Sequence, residues 1–219
     1  MPDKGRWVYG ELGIFPKFFF ENPESFQIAC NFESATGHVC RVTDLEQDIP
    51  FIVSQHRQFL FPSHTHIIDL DCNLLLDIRP RMTSDGFYIY SPTGTITVDI
   101  TGKLKLSAFH SHSSLDQLTS SVLGKPRRMT CKFKSLLGME RSWVVDGDLR
   151  GFRVTIMDEA TGQSLASINR AHPGIFPRKT STRHPCTMKV AANVDVALLL
   201  ALWICIDDKF YGGYWKLTP

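Results

Sequence analysis

The stretch Val196 to Ile206, VALLLALWICI, lies between Asp195 and Asp207-Asp208 and decides the fold. Eleven helical residues rise only about 17 Å, whereas the hydrocarbon core of a bilayer is about 30 Å thick. We therefore expect no transmembrane span. Because the stretch has no polar stripe, it should be buried on every side. Its position after a long series of short strands predicts a core helix over residues 194–208 with a sheet wrapped around it.

The composition indicates one globular domain, residues 1–219. The chain is 43% hydrophobic and 21% charged, which fits a single barrel or sandwich of this length. It has 24 basic and 22 acidic residues and a net charge of +2. This balance gives no global positive field, so we expect no nucleic-acid partner.

Cysteine usage and the chain start indicate a cytoplasmic protein. Residues 1–13 contain neither the apolar region nor the cleavage site of a secretory signal. The six cysteines are scattered without a CxxC pair, and Cys205 lies inside the predicted helix. This pattern is typical of free thiols in a reducing compartment. Peripheral attachment to membranes is compatible with it.

A strand–turn–strand pattern recurs along the chain. Each copy joins two runs of alternating or apolar residues through a turn that contains Gly or Asn, the residues that favour hairpin turns. Ten to twelve strands result. The predicted hairpins span residues 26–42, 66–79, 87–100 and 152–168, and a fifth pairs residues 129–133 with 142–145.

Three stretches resemble one family. They are the hairpin Ile67–Arg79, the hairpin Phe152–Arg170 and the final strand with its apolar helix, Met188–Asp208. The pattern is similar to the tubby C-terminal-like superfamily, most closely to the LURP-one-related proteins and more distantly to the phospholipid scramblases. The resemblance implies a mainly β fold, a closed antiparallel barrel of about twelve strands around one buried C-terminal helix.

The resemblance covers residues 50 to 210. Two turns depart from the family pattern: Cys72 stands where Gly is usual, and Ala192-Asn193 replaces Pro-Gly. Both substitutions leave the fold intact. Residues 1–49 fit less well, so we expect a divergent N-terminal part within the single domain.

Basic residues cluster between Lys125 and Lys134. Tubby domains grip phosphoinositide headgroups with clustered Lys and Arg, so the resemblance makes this segment the leading binding candidate. An edge strand protected from pairing by its lysines would show the same pattern. The candidate binding residues are Lys125, Arg127, Arg128, Lys132 and Lys134.

Two His-x-His pairs, His64/His66 and His110/His112, could each place two imidazoles on one strand face. Cupin barrels use this spacing with a Glu four residues on, and that Glu is missing after both pairs. We therefore expect no metal ion, and no other cofactor.

The weak catalytic candidates are His64, His66, Asp69 and Asp71, with Asp77 as a further nearby carboxylate. Acid–base chemistry needs two such groups with different pKa values. However, Asp69 and Asp71 adjoin a hairpin turn, where Asp is common for local hydrogen bonding. The chain also lacks a nucleophile elbow, a Gly-rich phosphate loop and an H-E-x-x-H motif.

Two functions remain open. The first is a non-enzymatic tubby-like module that binds phospholipid headgroups or a protein partner through a basic rim. The second is a cyclase or isomerase that holds a hydrophobic small molecule, such as a secondary-metabolite intermediate, in a pocket at the barrel mouth. Aromatic residues near both chain ends favour the second, whereas Lys125–Lys134 favours the first.

Overall fold

The computed structural model describes residues 12–33, 37–44, 50–57, 64–81, 86–103, 128–148, 153–170 and 186–211. Over these residues the chain is mainly β with a single C-terminal α-helix, which confirms the predicted class. Twelve strands are described. They are β1 (Glu24–Glu33), β2 (Gly37–Asp44), β3 (Pro50–Arg57), β4 (His64–Asp69), β5 (Leu74–Pro80), β6 (Gly86–Tyr90), β7 (Ile96–Lys103), β8 (Arg128–Lys134), β9 (Glu140–Asp148), β10 (Arg153–Asp158), β11 (Ser164–Arg170) and β12 (Cys186–Val190).

Every strand pairs antiparallel with its neighbour in sequence, from β1 to β12. The first strand also pairs with the last, in the register Phe26 opposite Met188, and this contact closes the sheet into a barrel. All five hairpins expected from the sequence are present. Since closure pairs both outer strands, neither keeps a free edge.

The hairpin turns use the backbone conformations that their residues favour. Gly94 and Gly162 adopt positive φ angles of 81° and 69°. Cys72, which replaces the family's Gly, also adopts a positive φ, 63°. A side chain in this region is strained. The fold therefore accommodates Cys72 at this turn position, although its backbone conformation is strained.

The closing helix, α1 (Val196–Tyr211), passes through the core of the barrel. It begins at Val196 but continues past Asp207-Asp208, where the apolar stretch predicted its end. The side chains from Val196 to Trp203 are all buried. Full burial of each Leu contributes about 1.5–3 kcal/mol relative to exposure, so the helix stabilises the barrel that surrounds it. Trp143 of β9 is fully buried in the same core.

Asp195 caps the start of α1. One carboxylate oxygen, Oδ1, accepts the backbone N–H groups of Ala197 and Leu198 at 2.9 and 3.1 Å. These donors belong to the first turn of the helix, whose N–H groups have no acceptors within the helix. The other oxygen, Oδ2, accepts the N–H groups of Ile14 and Phe15 at 2.9 and 2.8 Å. The cap thus also ties a distant segment to the helix.

That segment, residues 12–20, was not predicted as part of the core. Leu12 forms an isolated parallel bridge with Val194, and a short 3-10 helix covers Pro16–Phe18. Leu12 and Phe18 are both buried. Residues 12–20 therefore cover the end of the barrel where the helix begins.

None of the helices within the described ranges is both long enough and apolar enough to cross a bilayer.

Candidate functional site

Two histidines and an aspartate meet on the outer face of the barrel. His64 and His66 alternate with buried positions of β4 and are themselves half-buried. Asp77 of β5 lies directly opposite His66, so both side chains share one face of the hairpin. The Asp77 Oδ1 atom lies 3.4 Å from His64 Nδ1 and 3.7 Å from His66 Nε2. We call these three residues the His–Asp cluster.

An arginine holds the carboxylate of this cluster. Arg79 donates from Nε and Nη2 to Asp77 Oδ2, at 2.8 and 2.6 Å. The guanidinium lies 4.4 Å from the ring centroid of Tyr90, which faces the same side of the sheet. Asp77 Oδ1, by contrast, is buried and has no hydrogen-bond partner among the residues that the structure describes. The carboxylate is therefore fixed with one oxygen occupied and the other directed at two imidazoles.

From the sequence, Asp77 is predicted only as a further carboxylate near the histidines. The cupin pattern places its additional ligand, a Glu, four residues after the histidines. The third possible ligand is instead Asp77, which lies on the neighbouring strand opposite His66. The predicted hairpin pairs the two strands, but the observed register, which shifts between Ile67 and Ile68, is what brings Asp77 opposite His66.

Asp69 and Asp71 lie apart from the cluster. Asp69 is three residues beyond His66, about 10 Å along the strand, and belongs to the opposite face. Its Oδ1 accepts the backbone N–H groups of Asp71 and Asn73 at 3.0 and 2.9 Å. Lys17 Nζ lies 3.3 Å from Asp69 Oδ2. These contacts confirm the expectation that Asp69 forms local hydrogen bonds in the hairpin turn.

Those contacts also set its ionisation. The backbone N–H of Asn73 is the largest cause that lowers the pKa of Asp69, and the Asn73 side chain and Lys17 add to it, whereas burial opposes them. A group held in this way stays ionised at neutral pH. Asp69 is therefore poorly suited to act as a general acid.

The basic segment is only partly described. Lys132 and Lys134 are exposed on β8 and alternate with the buried Cys131 and Phe133. Arg128 begins the same strand, about 20 Å from Lys134 at the usual rise per residue. The strand therefore spaces its basic residues along the barrel wall. Outside the described residues lie Lys125, Arg127 and the second His-x-His pair, and the side chain of Arg128 is likewise not described.

An exposed apolar turn follows Lys134. Leu136, Leu137 and Met139 connect β8 to β9 and are 42%, 53% and 37% exposed. The turn lies at the barrel end where α1 begins, since the Leu136 N–H donates to the carbonyl of Gly13 at 3.0 Å. Leu70, 53% exposed in the β4–β5 turn, lies at this end too, because alternate turns of an antiparallel barrel share an end. We call this end the apolar mouth.

The apolar mouth was not predicted from the sequence. Turns of soluble proteins are usually built from Gly, Pro, Asn, Asp and Ser. Here Leu136-Leu137-Gly138-Met139 separates two predicted strands. The apolar residues in a turn position were the available signal, and they mark a surface that can bind something apolar.

Comparisons with known proteins agree with the fold. A family model described as LURP-one-related matches residues 24–207. The match begins earlier than the resemblance at residue 50, so residues 24–49 lie within it. No curated protein matches the chain.

A solved structure has a similar fold. It is the X-ray structure of a protein from Arabidopsis thaliana, with a TM-score of 0.50 and 13% sequence identity, and the alignment covers 90% of this chain and 97% of that chain. The tubby-like superfamily is consistent with both findings. Because the family model spans all twelve strands and most of the core helix, the chain belongs to the LURP-one-related family.

Proposed function

We propose that this domain is a non-enzymatic module that binds anionic phospholipid headgroups, or a protein partner, through the basic residues of β8 and the segment before it. The observation that carries the proposal is the apolar mouth beside Lys132 and Lys134. Apolar side chains that project next to cations form the usual pattern of a surface that rests on a bilayer. This pattern favours the lipid over the protein partner.

The energetic argument has two parts. Each Lys or Arg near an anionic membrane contributes about 1 kcal/mol, which falls off within a Debye length. Insertion of exposed Leu side chains adds about 0.8 kcal/mol for each buried CH2 group. Glu140 lies opposite Lys134 in the hairpin register, so its negative charge lowers the net positive charge at this position. Charge and apolar insertion must therefore act together for useful affinity.

Vesicle sedimentation tests this proposal. Phosphatidylcholine vesicles with and without a phosphoinositide are incubated with the protein, and the bound fraction is measured. We expect retention on the phosphoinositide vesicles and its loss in the double variant Lys132→Glu/Lys134→Glu. The variant Arg127→Glu/Arg128→Glu tests whether the other end of the basic segment contributes.

A matched control separates a local site from general charge. Arg153→Glu/Lys189→Glu makes the same change in net charge at exposed positions of β10 and β12. This control should keep retention. Leu136→Ser/Leu137→Ser should weaken retention without reducing the free energy of unfolding, because both side chains are exposed. Absence of retention by the unmodified protein, or equal loss in the control, would reject lipid binding through the basic residues.

The cyclase or isomerase alternative requires a cavity at a barrel mouth. The buried side chains from Val196 to Trp203 fill the part of the interior that the described residues outline. Asp69, a catalytic candidate next to Leu70, accepts the backbone N–H groups of Asp71 and Asn73 in its own turn. The described residues thus favour the binding module.

A further inference from the structure

We propose that the His–Asp cluster is a binding site for a divalent transition-metal ion, with Zn²⁺ the ion its ligands suit best. His64 Nδ1, His66 Nε2 and a carboxylate oxygen of Asp77 all lie within 4.8 Å of one another. Imidazole and carboxylate are ligands that Zn²⁺ takes in proteins. This site is independent of the lipid-binding proposal.

Two of the three ligand-atom spacings are close to those of tetrahedral coordination. Bonds of 2.0–2.1 Å to zinc place neighbouring ligand atoms about 3.3–3.4 Å apart. The distances from Asp77 Oδ1 are 3.4 Å to His64 Nδ1 and 3.7 Å to His66 Nε2. Both lie within a few tenths of an ångström of the tetrahedral value. The two imidazole nitrogens lie within 4.8 Å of each other, so side-chain rotation that brings them closer would complete one coordination sphere.

Asp77 Oδ1 is the second, independent observation. The side chain of Asp77 is only 8% exposed, and this oxygen has no hydrogen bond among the described residues. A buried carboxylate oxygen that accepts no hydrogen bond is costly, and a bound cation would satisfy it. The oxygen is directed at the two imidazoles, which supply the remaining ligands.

Arg79 fits this role as an orienting residue. Its guanidinium donates only to Oδ2, so Oδ1 remains available to a metal. Hydrogen bonds of this kind fix ligating carboxylates in known metal sites. The positive charge of Arg79 also opposes a dication, so we expect modest rather than tight affinity. Three protein ligands leave the fourth tetrahedral position to water.

Cobalt titration tests the proposal. Protein stripped with EDTA and dialysed is titrated with Co²⁺ alone, which absorbs visibly in tetrahedral sites, and the affinity for Zn²⁺ follows from competition. We expect a tetrahedral Co²⁺ spectrum with one equivalent bound. The variants His64→Ala, His66→Ala and Asp77→Asn should each weaken binding at least tenfold. Asp77→Asn keeps an oxygen that can accept from Arg79, so this change leaves the shape of the site nearly unaltered.

Two controls make the result decisive. His110→Ala/His112→Ala removes the other His-x-His pair and should leave the spectrum and affinity unchanged. Cys72→Ser removes the exposed thiol, and its spectrum should also be unchanged. Thermal unfolding without metal checks that each variant is folded. Absence of a tetrahedral spectrum in the unmodified protein, or unchanged affinity in Asp77→Asn, would overturn the site and leave the cluster as a His–Asp ion-pair group.

Discussion

Gly13 packs directly against Asp195, so that a Cβ built on Gly13 would lie 2.1 Å from the Asp195 Cβ. No side chain fits at such a distance. The contact places the backbone of residues 14 and 15 within hydrogen-bond reach of the buried carboxylate. This approach joins the N-terminal segment, the helix start and the barrel end into one structural unit.

Gly13→Ala should therefore destabilise the protein. The new methyl group must displace Asp195 or residues 12–15, and overpacking of this kind typically costs about 1–3 kcal/mol. Urea unfolding measures the change. Gly94→Ala serves as the comparison, since Gly94 has open space around it but a positive φ, and should lose only about 1 kcal/mol. A smaller loss at Gly13 than at Gly94 would contradict the close packing.

Asp195 should make stability depend on pH in an unusual direction. Burial raises its pKa from 3.8 to about 6, although four backbone N–H groups act to lower it. The folded state therefore binds a proton more tightly than the unfolded state. Its contribution is fully present below pH 3.8 and is lost as the pH rises through 6, a change of about 3 kcal/mol.

Comparison with Asp195→Asn isolates this effect. The amide leaves buried N–H groups unsatisfied, so the variant should be less stable at every pH. The stability difference between the unmodified protein and the variant should shrink as the pH rises from 4 to 6. Denaturant unfolding at several pH values measures it. A difference that is constant or grows with pH would rule out the raised pKa.

Asp69 should show the opposite dependence. Its pKa is lowered below 3.8, mainly by the backbone N–H of Asn73, so its stabilising contribution exists above that pH and is lost as the pH falls. Asp69→Asn should lower the melting temperature at pH 7. At pH 3 the two proteins should differ less. Equal differences at both pH values would show that the ionised form is not what stabilises the turn.

Cys72→Gly should stabilise the protein. Cys72 adopts a φ of 63°, which costs a residue with a side chain about 1–2 kcal/mol, and Gly removes that strain while it adds unfolded-state entropy. The expected net gain is up to about 1 kcal/mol in urea unfolding. Cys72→Ala is the control, because Ala keeps the strain and should give no gain. Equal gains for both variants would assign the effect to removal of the thiol.

Several parts of the fold could be predicted from the sequence alone. The apolar run from Val196 identifies a buried helix because no polar side chain interrupts it. Turns that contain Gly or Asn identify hairpins because these residues supply the required backbone angles. The apolar run predicts a helix end at Asp207-Asp208, which is too early, because a helix can continue beyond its apolar part. The described helix continues to Tyr211.

The candidate sites were harder to predict. His64 and His66 were visible as a pair, but their closeness to Asp77 depends on the cross-strand register of a hairpin. The apolar mouth likewise depends on which turns share a barrel end. The basic residues are close together in sequence, yet the extended strand β8 places Arg128 and Lys134 about 20 Å apart.

The sequence by itself determined that this chain is mainly β, that it ends in a buried helix and that it resembles the LURP-one-related proteins. These three properties follow from local periodicity, turn chemistry and motif order. Only the tertiary structure decided that residues 12–20 cover the helix start, that Asp195 joins them to it, and that Asp77 meets two histidines. These contacts link residues far apart along the chain or across strands. They depend on strand register and barrel closure, which local sequence patterns do not specify.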